Sequence, residues 1–303
     1  MTATPTGRPL FQRIYLLGTG LIGGSLVLDL KDKGLVGSVV GSDRDGTRQD
    51  EAVELGILDE TAPPVPETFR QCDLVILAVP VLELLQILEK GFEGNTLVTD
   101  VGSVKKMPVS AYRRAVEAGR GYRFVPGHPI AGDERSGPAA ARKGLFEGAR
   151  VILTPVEVFA GVSTSGRSLP GGTLPADVEL IQLMWEGTGA ETLIMDPDIH
   201  DSVFAWVSHM PHMAAYAIID AVLGNDPELV DLSGGGLRDY TRIAASSPRM
   251  WADIAVANRE HILTATRGFR NSVDKILKAL EDGDRERLEE IFKPIAALRR
   301  GQA

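Results

Sequence analysis

The amino-acid sequence predicts an α/β fold, a doubly wound parallel sheet followed by an all-helical region. Three observations predict it. Over the first two thirds of the chain, short apolar runs rich in β-branched residues alternate with helical patterns. The run at residues 73–79 is almost entirely apolar, as expected of a strand buried on both faces of a parallel sheet. After about residue 196 the strand-like runs stop, and long helical patterns follow.

The first part of the chain contains the predicted strands. A strand at residues 13–17 ends in Gly18, and a helix over 21–34 stops at a second glycine. Further strands are predicted at 39–42, 73–79, 96–101, 123–126, 151–154 and 192–195, with a helix at about 176–187 before the last. Residues 1–12 are predicted to be a loose tail, and residues 160–175, rich in Gly, Ser and Pro, a flexible surface loop.

The second part of the chain consists of predicted helices. Residues 200–223 are apolar on almost every side, which requires burial all round. Residues 247–282 form one long predicted helix, and residues 284–300 form a last amphipathic one. We place a domain boundary near residue 196, which gives domains 1–196 and 197–303. Helices of this length lack enough partners within one chain, so we expect them to pack against a second subunit.

Composition and charge exclude several classes of protein. The 303 residues carry 32 Lys and Arg against 41 Asp and Glu, a formal charge of −9. Because no basic cluster occurs, we expect neither nucleic acid nor a membrane as partner. No apolar run approaches the length of a membrane span, and residues 1–12 lack the apolar core of a signal peptide. The lone cysteine, Cys72, excludes an internal disulfide and fits the cytoplasm, although a disulfide-free secreted protein would look the same.

A glycine-rich segment after the first strand, GTGLIG, matches the pattern G-x-G-x-x-G. It follows a predicted strand, opens a predicted helix and precedes an acidic residue at the end of the next strand, and these contexts indicate a dinucleotide site. Gly18 permits the tight turn, Gly20 lets a pyrophosphate approach the backbone, and Gly23 allows the helix to pack closely on the strand. The helix amino terminus, with Leu21 and Ile22, offers free N–H groups and a positive dipole. The alternative is a glycine-rich turn that binds nothing.

The preference between the two nicotinamide cofactors rests on two residues after the second strand. Asp43 would accept hydrogen bonds from the ribose hydroxyls and repel a 2′-phosphate, which favours NAD. The adjacent Arg44 favours NADP instead, since an arginine can bind that phosphate. NAD is therefore the expected cofactor and NADP the less favoured one.

Polar residues at the carboxyl ends of parallel strands are candidates for a site, because ligands of open α/β sheets bind there. Pro80, Asp100 and Ser103 follow two predicted strands, and His128 follows a third. An imidazole titrates in the range needed to accept a hydroxyl proton, so His128 is the predicted catalytic base. Its alternative is a histidine that caps a loop. Ser103 either hydrogen-bonds the substrate or the nicotinamide, or caps the helix that begins near Lys105.

The apolar helical segment contains three histidines, His200, His209 and His212, and the last two have the i, i+3 spacing of a metal pair. We expect no metal, because no third ligand is evident and Pro211 distorts the turn between them. A polar side chain on an apolar helix still needs a partner. Each histidine therefore either contacts an anionic substrate or is satisfied within the core.

A second glycine-rich segment, residues 234–236, leads into a predicted helix. Its backbone N–H groups, that of Gly235 among them, can bind an anion. Arg238 and Arg242 lie four residues apart on one face of the helix, and a guanidinium grips a carboxylate with two hydrogen bonds. Asp239 can hold one of the two arginines in place. The alternative is a solvated face of ion pairs.

Taken together, these segments resemble the prephenate dehydrogenase family, the NAD(P)-dependent enzymes of tyrosine biosynthesis. The resemblance covers about residues 14–279. Its carriers are GTGLIGGS at 18–25, TDVGSVK at 99–105, HPIAG at 128–132, SG at 136–137, HDSVFAWVSHMPH at 200–212 and GGGLRDYTRIAASSPRMWADI at 234–254. The last two together are specific to the family, whereas many dehydrogenases share the first.

The resemblance implies a Rossmann domain followed by a helical domain that forms a homodimer. It also implies the oxidative decarboxylation of prephenate to 4-hydroxyphenylpyruvate, with release of CO2 and reduced cofactor. The implied catalytic residues are His128 and Ser103. The implied substrate-binding residues are Arg242 for the ring carboxylate, His209 for the pyruvyl side chain, and Trp251, with Gly235, Arg238 and Asp239 beside them.

One departure from the family pattern bears on the substrate. Asp133 stands where a small or hydroxyl residue is expected, which leaves arogenate, with an amino acid side chain, as an alternative. A nicotinamide-binding sensor without turnover is the alternative of another class. The presence of His128, Ser103 and Arg242 argues against it, since a sensor needs no base.

Overall fold

A computed structural model describes residues 8–156 and 173–301 of the chain, and the structural statements that follow concern these residues. The first lobe is built on six parallel strands: β1 Phe11–Leu17, β2 Val36–Ser42, β3 Glu60–Thr61, β4 Leu74–Leu77, β5 Leu97–Asp100 and β6 Arg123–Val125. Its helices are α1 Leu21–Asp32, α2 Gly46–Glu54, α3 Pro66–Phe69, α4 Val81–Lys90 and α5 Lys106–Glu117. β1 begins within the segment predicted to be a loose tail, because Phe11 packs into the core.

The strands lie in the order β3-β2-β1-β4-β5-β6, so the prediction of a doubly wound parallel sheet is confirmed. Each face of the sheet has its own apolar core. Ile14 and Leu16 point into one core, and Tyr15 and Val75 point into the other. The chain runs outward in opposite directions from β1 and β4, which leaves a crevice at their carboxyl ends where ligands of such sheets bind.

Three further strands form a second sheet, β7 Gly127–Pro129, β8 Arg150–Leu153 and β9 Glu191–Ile194. β7 pairs antiparallel with β8, β8 pairs parallel with β9, and α6 Pro175–Gly187 precedes β9. The expectation that the strands predicted at 151–154 and 192–195 extend one doubly wound sheet is therefore wrong. Alternation of strands and helices does not record where a chain reverses, and here it reverses between β7 and β8.

The position of β7 depends on one glycine. A Cβ at Gly127 would lie 3.0 Å from the backbone oxygen of Asp100 at the end of β5, so the two segments can touch there with little room for a side chain. Consequently His128 lies within a strand against the first sheet, and not in a loop after a strand as predicted. The predicted flexible loop at 160–175 falls almost wholly outside the described residues, and α6 begins at Pro175.

The second lobe is helical, as predicted. It comprises α7 Pro197–Phe204, a π-helical turn Ala205–His209, α8 Met210–Asn225, α9 Gly235–Thr241, α10 Pro248–Ala257, α11 Arg259–Glu281 and α12 Arg285–Arg300, with short 3₁₀ turns at Pro227–Val230 and Arg242–Ala245. The single long helix predicted over 247–282 is wrong. Asn258, at φ −110° and ψ 30°, separates α10 from α11.

Several apolar side chains of the segment 200–223 are exposed in the single chain, although its composition predicted burial all round. Trp206 is 45% exposed, Val207 66% and Leu223 47%. The ring of Trp206 also rests on Gly268 of α11, where a Cβ would lie 2.4 Å from it. In the described part of the chain no helix is both long and apolar enough to span a membrane.

Candidate active site

The turn between β1 and α1 has the shape needed to hold a phosphate group. Gly18 adopts φ +93°, and a Cβ there would lie 2.3 Å from the backbone oxygen of Ala78 on the neighbouring strand connection. A Cβ at Gly23 would lie 2.7 Å from the oxygen of Gly18, so helix and turn pack closely. A Cβ at Gly20, by contrast, would meet no atom within 4 Å. The turn is thus closed on its protein side and open where a pyrophosphate would approach.

A cleft of about 1410 Å³ opens from this turn at the carboxyl ends of β1, β2 and β4. Its lining includes five of the predicted cofactor residues, which are Gly18, Gly20, Asp43, Arg44 and Pro80. Leu21 and Gly23 are buried behind it, and Ile22 faces the segment after β7, since a Cβ at Gly132 would lie 3.5 Å from its side chain. The volume and the open glycine turn fit a dinucleotide.

The side chains at the lip of the cleft are held in place. Asp43 accepts hydrogen bonds from the backbone N–H of Thr19 at 2.9 Å and from the Thr19 hydroxyl at 3.0 Å. It also accepts from the backbone N–H of Asp45 at 3.1 Å. A carboxylate has about four acceptor sites, so Asp43 can still accept from a ribose hydroxyl. Arg44 is turned towards Glu83, with Nη1 and Oε2 3.3 Å apart.

Asp100, which was predicted to face the cofactor, forms a fully buried ion pair instead. Lys105 Nζ lies 2.5 Å from its Oδ2 and also donates to the backbone oxygen of Gly127 at 2.6 Å. The N–H of Gly127 donates to Asp100 Oδ1 at 3.2 Å. Burial lowers the pKa of Lys105, and the Asp100 carboxylate opposes that change. The pair therefore anchors β7 beside the end of β5 and so fixes the backbone that carries His128.

His128 is the first of three buried side chains that join the two lobes. Its Nδ1 lies 2.8 Å from Nε2 of His200, and Nδ1 of His200 lies 2.8 Å from Oδ1 of Asp201. His128 is 8% exposed, and His200 and Asp201 at most 1%. Phe204 packs against both imidazoles, with ring centroids 4.8 and 4.5 Å away. We call Asp201, His200 and His128 the buried triad.

The environment of the buried triad keeps both imidazoles neutral at neutral pH. Burial lowers the pKa of His128 well below 6.5, and neighbouring His200, Lys105 and His209 lower it further. Burial also lowers the pKa of His200, although Asp201 raises it in part. A neutral imidazole is the form that can accept a proton.

Ser103 is half-buried and makes no hydrogen bond with the residues of 8–156 and 173–301. Of its two predicted roles, capping α5 is not what the structure shows. The N–H groups of Lys105 and Lys106 at the start of that helix donate to the carboxylate of Asp201, at 2.8 and 2.9 Å. The cap of a helix in the first lobe thus comes from the second lobe.

The other two histidines of the apolar segment, His209 and His212, occupy different environments. His209 is 1% exposed, and its Nδ1 lies 3.0 Å from the amide nitrogen of Asn258. Since an amide nitrogen can only donate, His209 Nδ1 accepts and Nε2 carries the proton. That Nε2 is buried without a hydrogen-bond partner among the described residues, and burial lowers the pKa of His209 to about 4. His212 stacks on Trp251, with ring centroids 3.5 Å apart.

The predicted arginine pair is divided between two settings. Arg242 pairs with Glu134, with Nη1 and Oε2 2.9 Å apart, so it connects the helical lobe to the segment after β7. Arg238, Asp239 and Gly235 are exposed. Within the described ranges Asp239 forms no ion pair with either arginine, so the predicted holding contact is not seen.

Asp133 is already engaged by two guanidinium groups. Arg135 Nη2 and Arg142 Nη1 each lie 2.8 Å from its Oδ2. The hydrogen bonds from Arg135 hold the pKa of the Asp133 carboxyl well below its usual range. Across residues 8–156 and 173–301, no group of three His, Cys, Asp or Glu side chains is placed to hold a metal ion.

The arrangement defines a class of protein. A glycine turn and an acidic lip at the switch point of a doubly wound sheet, with a buried neutral imidazole beside the same edge, are the features of a nicotinamide-dinucleotide-dependent dehydrogenase.

Comparisons with known proteins identify the family. The model of the prephenate dehydrogenase nucleotide-binding domain matches residues 26–160, and that of its dimerization domain matches residues 196–294. Prephenate dehydrogenase of Bacillus subtilis (strain 168) is 36% identical over 295 residues, which cover 95% of this chain and 75% of the relative. Cyclohexadienyl dehydrogenase of Zymomonas mobilis is 31% identical over 93% of both chains.

Solved structures agree with this result. Prephenate dehydrogenase of A. aeolicus, in complex with hydroxyphenyl propionate and NAD+, superposes with a TM-score of 0.83 at 33% identity, over 96% of this chain and 98% of that one. Synechocystis arogenate dehydrogenase superposes with a TM-score of 0.73 at 26% identity, over 96% of this chain and all of the other. The chain belongs to the prephenate dehydrogenase family.

Sequence reasoning missed the partners of the base. His200 stood in a segment interpreted as an apolar helix, and Asp201, Lys105 and Asn258 were assigned no contact there. The available signal was the burial rule, because ionisable residues in an apolar segment need partners. The rule predicts that a partner exists but not which one, since Lys105 and Asp201 lie 96 residues apart in the chain.

Proposed function

We propose that the protein catalyses the NAD-dependent oxidative decarboxylation of prephenate to 4-hydroxyphenylpyruvate, with release of CO2 and NADH. Two contacts between the lobes carry this proposal, and both involve one segment of the first lobe. His200 of the helical lobe contacts His128, and Arg242 of the helical lobe contacts Glu134. His128 and Glu134 are six residues apart, which limits their separation to about 22 Å. The segment that holds His128 therefore also meets Arg242, which supports one site for an imidazole base and a carboxylate-binding guanidinium.

The cofactor assignment rests on the lip of the cleft. Gly18 and Gly20 leave room for the pyrophosphate, and Asp43 retains acceptor capacity for the ribose hydroxyls. Arg44, the residue that could favour a 2′-phosphate, is paired with Glu83. NAD, when bound, supplies the hydride acceptor. Ser103 is proposed to hydrogen-bond the substrate oxygen or the nicotinamide amide.

The proton is handled by His128. Its Nδ1 is engaged with His200, so Nε2 remains to accept the proton of the C4 hydroxyl as the hydride leaves. A carbonyl grows at C4, and loss of CO2 from the ring moves electrons towards that oxygen and makes the ring aromatic. Because aromatisation makes the step essentially one-way, the protein chiefly has to position and deprotonate its substrate.

The two carboxylates of prephenate need two binding groups. We assign the ring carboxylate to Arg242, which would exchange Glu134 for it, and the side-chain carboxylate to His209. The buried Nε2–H of His209 has no partner among the described residues, which supports this role. Gly235, Trp251, Arg238 and Asp239 are proposed as the remaining substrate-binding residues.

Arogenate is the second candidate substrate, and the likeness to Synechocystis arogenate dehydrogenase favours keeping it. Arogenate carries an ammonium group where prephenate has a keto group, and Asp133 is the acidic residue that the sequence offers for it. Because two arginines already bind Asp133, its carboxylate is a poor partner for a further cation. Prephenate is therefore the preferred substrate of the two.

We further propose a homodimer formed through the C-terminal helices, a cytoplasmic location and a domain division into 1–196 and 197–303. The exposed apolar side chains of Trp206, Val207 and Leu223 support the dimer, as does the match of residues 196–294 to a dimerization domain.

The deciding experiment measures NADH formation by the purified protein with prephenate and with arogenate at matched concentrations. We expect a higher kcat/KM for prephenate with NAD than for arogenate or for NADP. Equal or greater kcat/KM for arogenate would reverse the substrate assignment. Absence of turnover with both, while NAD still binds, would favour a sensor.

A further inference from the structure

The chemistry of the three side chains fixes the direction of both hydrogen bonds in the buried triad. A carboxylate can only accept, so His200 must donate to Asp201 from Nδ1. The Nε2 of neutral His200 is then an acceptor, and His128 must donate to it from Nδ1. The hydrogen bonds thus leave the lone pair of His128 on Nε2, the atom that has no hydrogen bond within the described residues.

Asp201 is itself held by the first lobe. Each of its carboxylate oxygens accepts a backbone N–H at the start of α5, from Lys105 at 2.8 Å and from Lys106 at 2.9 Å. Its backbone oxygen accepts from the amide of Asn258 at 2.8 Å. A carboxylate fixed by two amides and facing a buried imidazole cannot turn away without losing these bonds.

The other charged groups near the two imidazoles leave Asp201 as the uncompensated anion. Lys105 and Asp100 neutralise each other, and Lys106 extends its ammonium to Asp198 at 2.6 Å. His209, with its pKa lowered to about 4 by burial, is uncharged at neutral pH. A positive charge formed on His128 therefore meets one unpaired negative charge, through His200.

We propose that His200 and Asp201 are positioning residues, which hold His128 in the tautomer with a free Nε2 and stabilise the imidazolium formed when it accepts the substrate proton. The inference rests on the proposed function, because it assumes that His128 is the base. It adds two residues to the proposed chemistry that touch neither substrate nor cofactor.

The kinetic test uses Asp201→Asn, His200→Leu and His200→Gln. The Asp201→Asn change removes the charge, and the new amide can present its NH2 to His200, which would reverse both tautomers. We therefore expect kcat to fall about 10²- to 10⁴-fold with KM little changed. His200→Leu should cost a similar factor. His200→Gln should recover at least about tenfold over the leucine variant, because the amide oxygen can accept from His128 Nδ1.

The chain offers a matched control in the same helices. Asp198 of α7 and His261 of α11 form a similar histidine–carboxylate pair at 3.2 Å, but at the surface. His261→Gln should keep kcat within about threefold of the parent, since exposed pairs contribute little. Thermal midpoints and NAD affinity, measured for every variant, report whether each one folds.

A second readout does not depend on turnover. The chain has five histidines, so ¹⁵N-histidine NMR can resolve each ring. We expect His128 and His200 both to carry Nδ1–H in the parent at neutral pH. Failure of the parent to turn over prephenate or arogenate would overturn the proposed function, while this spectrum still tests the tautomers.

Three results would overturn the inference. They are an Nε2–H tautomer on His128 in the parent, a kcat of folded Asp201→Asn within about threefold of the parent, and equal losses in the glutamine and leucine variants of His200. The first result would show that the buried triad does not set the tautomer of His128. The second would show that the charge of Asp201 does not affect kcat, and the third that the hydrogen bond from His128 to residue 200 does not.

Discussion

The dinucleotide cleft and the buried triad are built in different ways. The glycine turn of the cleft is local, and Asp43 at its lip lies 24 residues along the chain from Thr19, from whose N–H it accepts a hydrogen bond. The buried triad is assembled over long range, since His128 and His200 lie 72 residues apart and in different lobes. The cleft is open and shaped by backbone, whereas the triad is closed and shaped by side-chain hydrogen bonds. Cofactor binding and proton transfer therefore depend on separate parts of the sequence.

Of the substitutions considered, His128→Asn should lower activity most. If the triad carries the chemistry and the cleft the binding, kcat should fall about 10²- to 10⁴-fold while the KM for NAD stays near its parent value. Steady-state kinetics with both substrates varied gives the two numbers. Nearly unchanged turnover would remove His128 from the mechanism.

The guanidinium at the substrate end should behave as a binding group. Arg242→Gln removes a charged carboxylate contact, so KM for prephenate should rise about 10- to 100-fold with a smaller change in kcat. Arg249→Gln, at an exposed arginine on α10, is the matched control. A native KM in the Arg242 variant would show that this arginine serves as a surface ion pair.

The lip of the cleft should govern the cofactor alone. Asp43→Asn weakens the contacts to the ribose and the repulsion of a 2′-phosphate, so the NAD over NADP ratio of kcat/KM should fall about tenfold or more. The exposed Asp50→Asn controls for loss of one negative charge. An unchanged ratio would move the preference to another residue.

Buried neutral histidines should make stability depend on pH. The pKa of His209 is lowered to about 4 in the folded state, so the stability it contributes is present above pH 6.5 and is lost as pH falls towards 4. Between pH 7 and pH 5 this group should account for about 2 kcal/mol of the free energy of unfolding. Urea unfolding at both pH values should show a smaller difference in the free energy of unfolding for His209→Gln than for the parent. A His209 variant with the parent's pH dependence would contradict the prediction.

The smallest effect should come from Ser103→Ala. Because Asp201 and not Ser103 caps α5, stability should not change, and kcat/KM should fall about 2- to 10-fold for one neutral hydrogen bond. A lowered thermal midpoint with normal kinetics would return Ser103 to a structural role.

The sequence was a good guide wherever a signal is local. The glycine turn, Asp43, the parallel strands and the helical second lobe each follow from patterns within a few tens of residues. It could not place β7, because the antiparallel pairing of β7 with β8 in a second sheet leaves the alternation of strands and helices unchanged. It could not reveal the break at Asn258, whose amide is drawn to Asp201 and His209 from elsewhere in the chain. The partners of His128 were hidden for the same reason, since hydrogen bonds between lobes have no sequence period.

Because Asp201 belongs to the helical lobe and binds the first lobe, the alignment of His128 depends on the contact between the two lobes. Any hinge motion that separated the lobes would break the hydrogen bonds from the two amides of α5 to this carboxylate and weaken its hydrogen bond with His200. In a conformation with the lobes separated, the cofactor would then lie beside a misaligned imidazole. Closure of the seam between the lobes would then also align the imidazole.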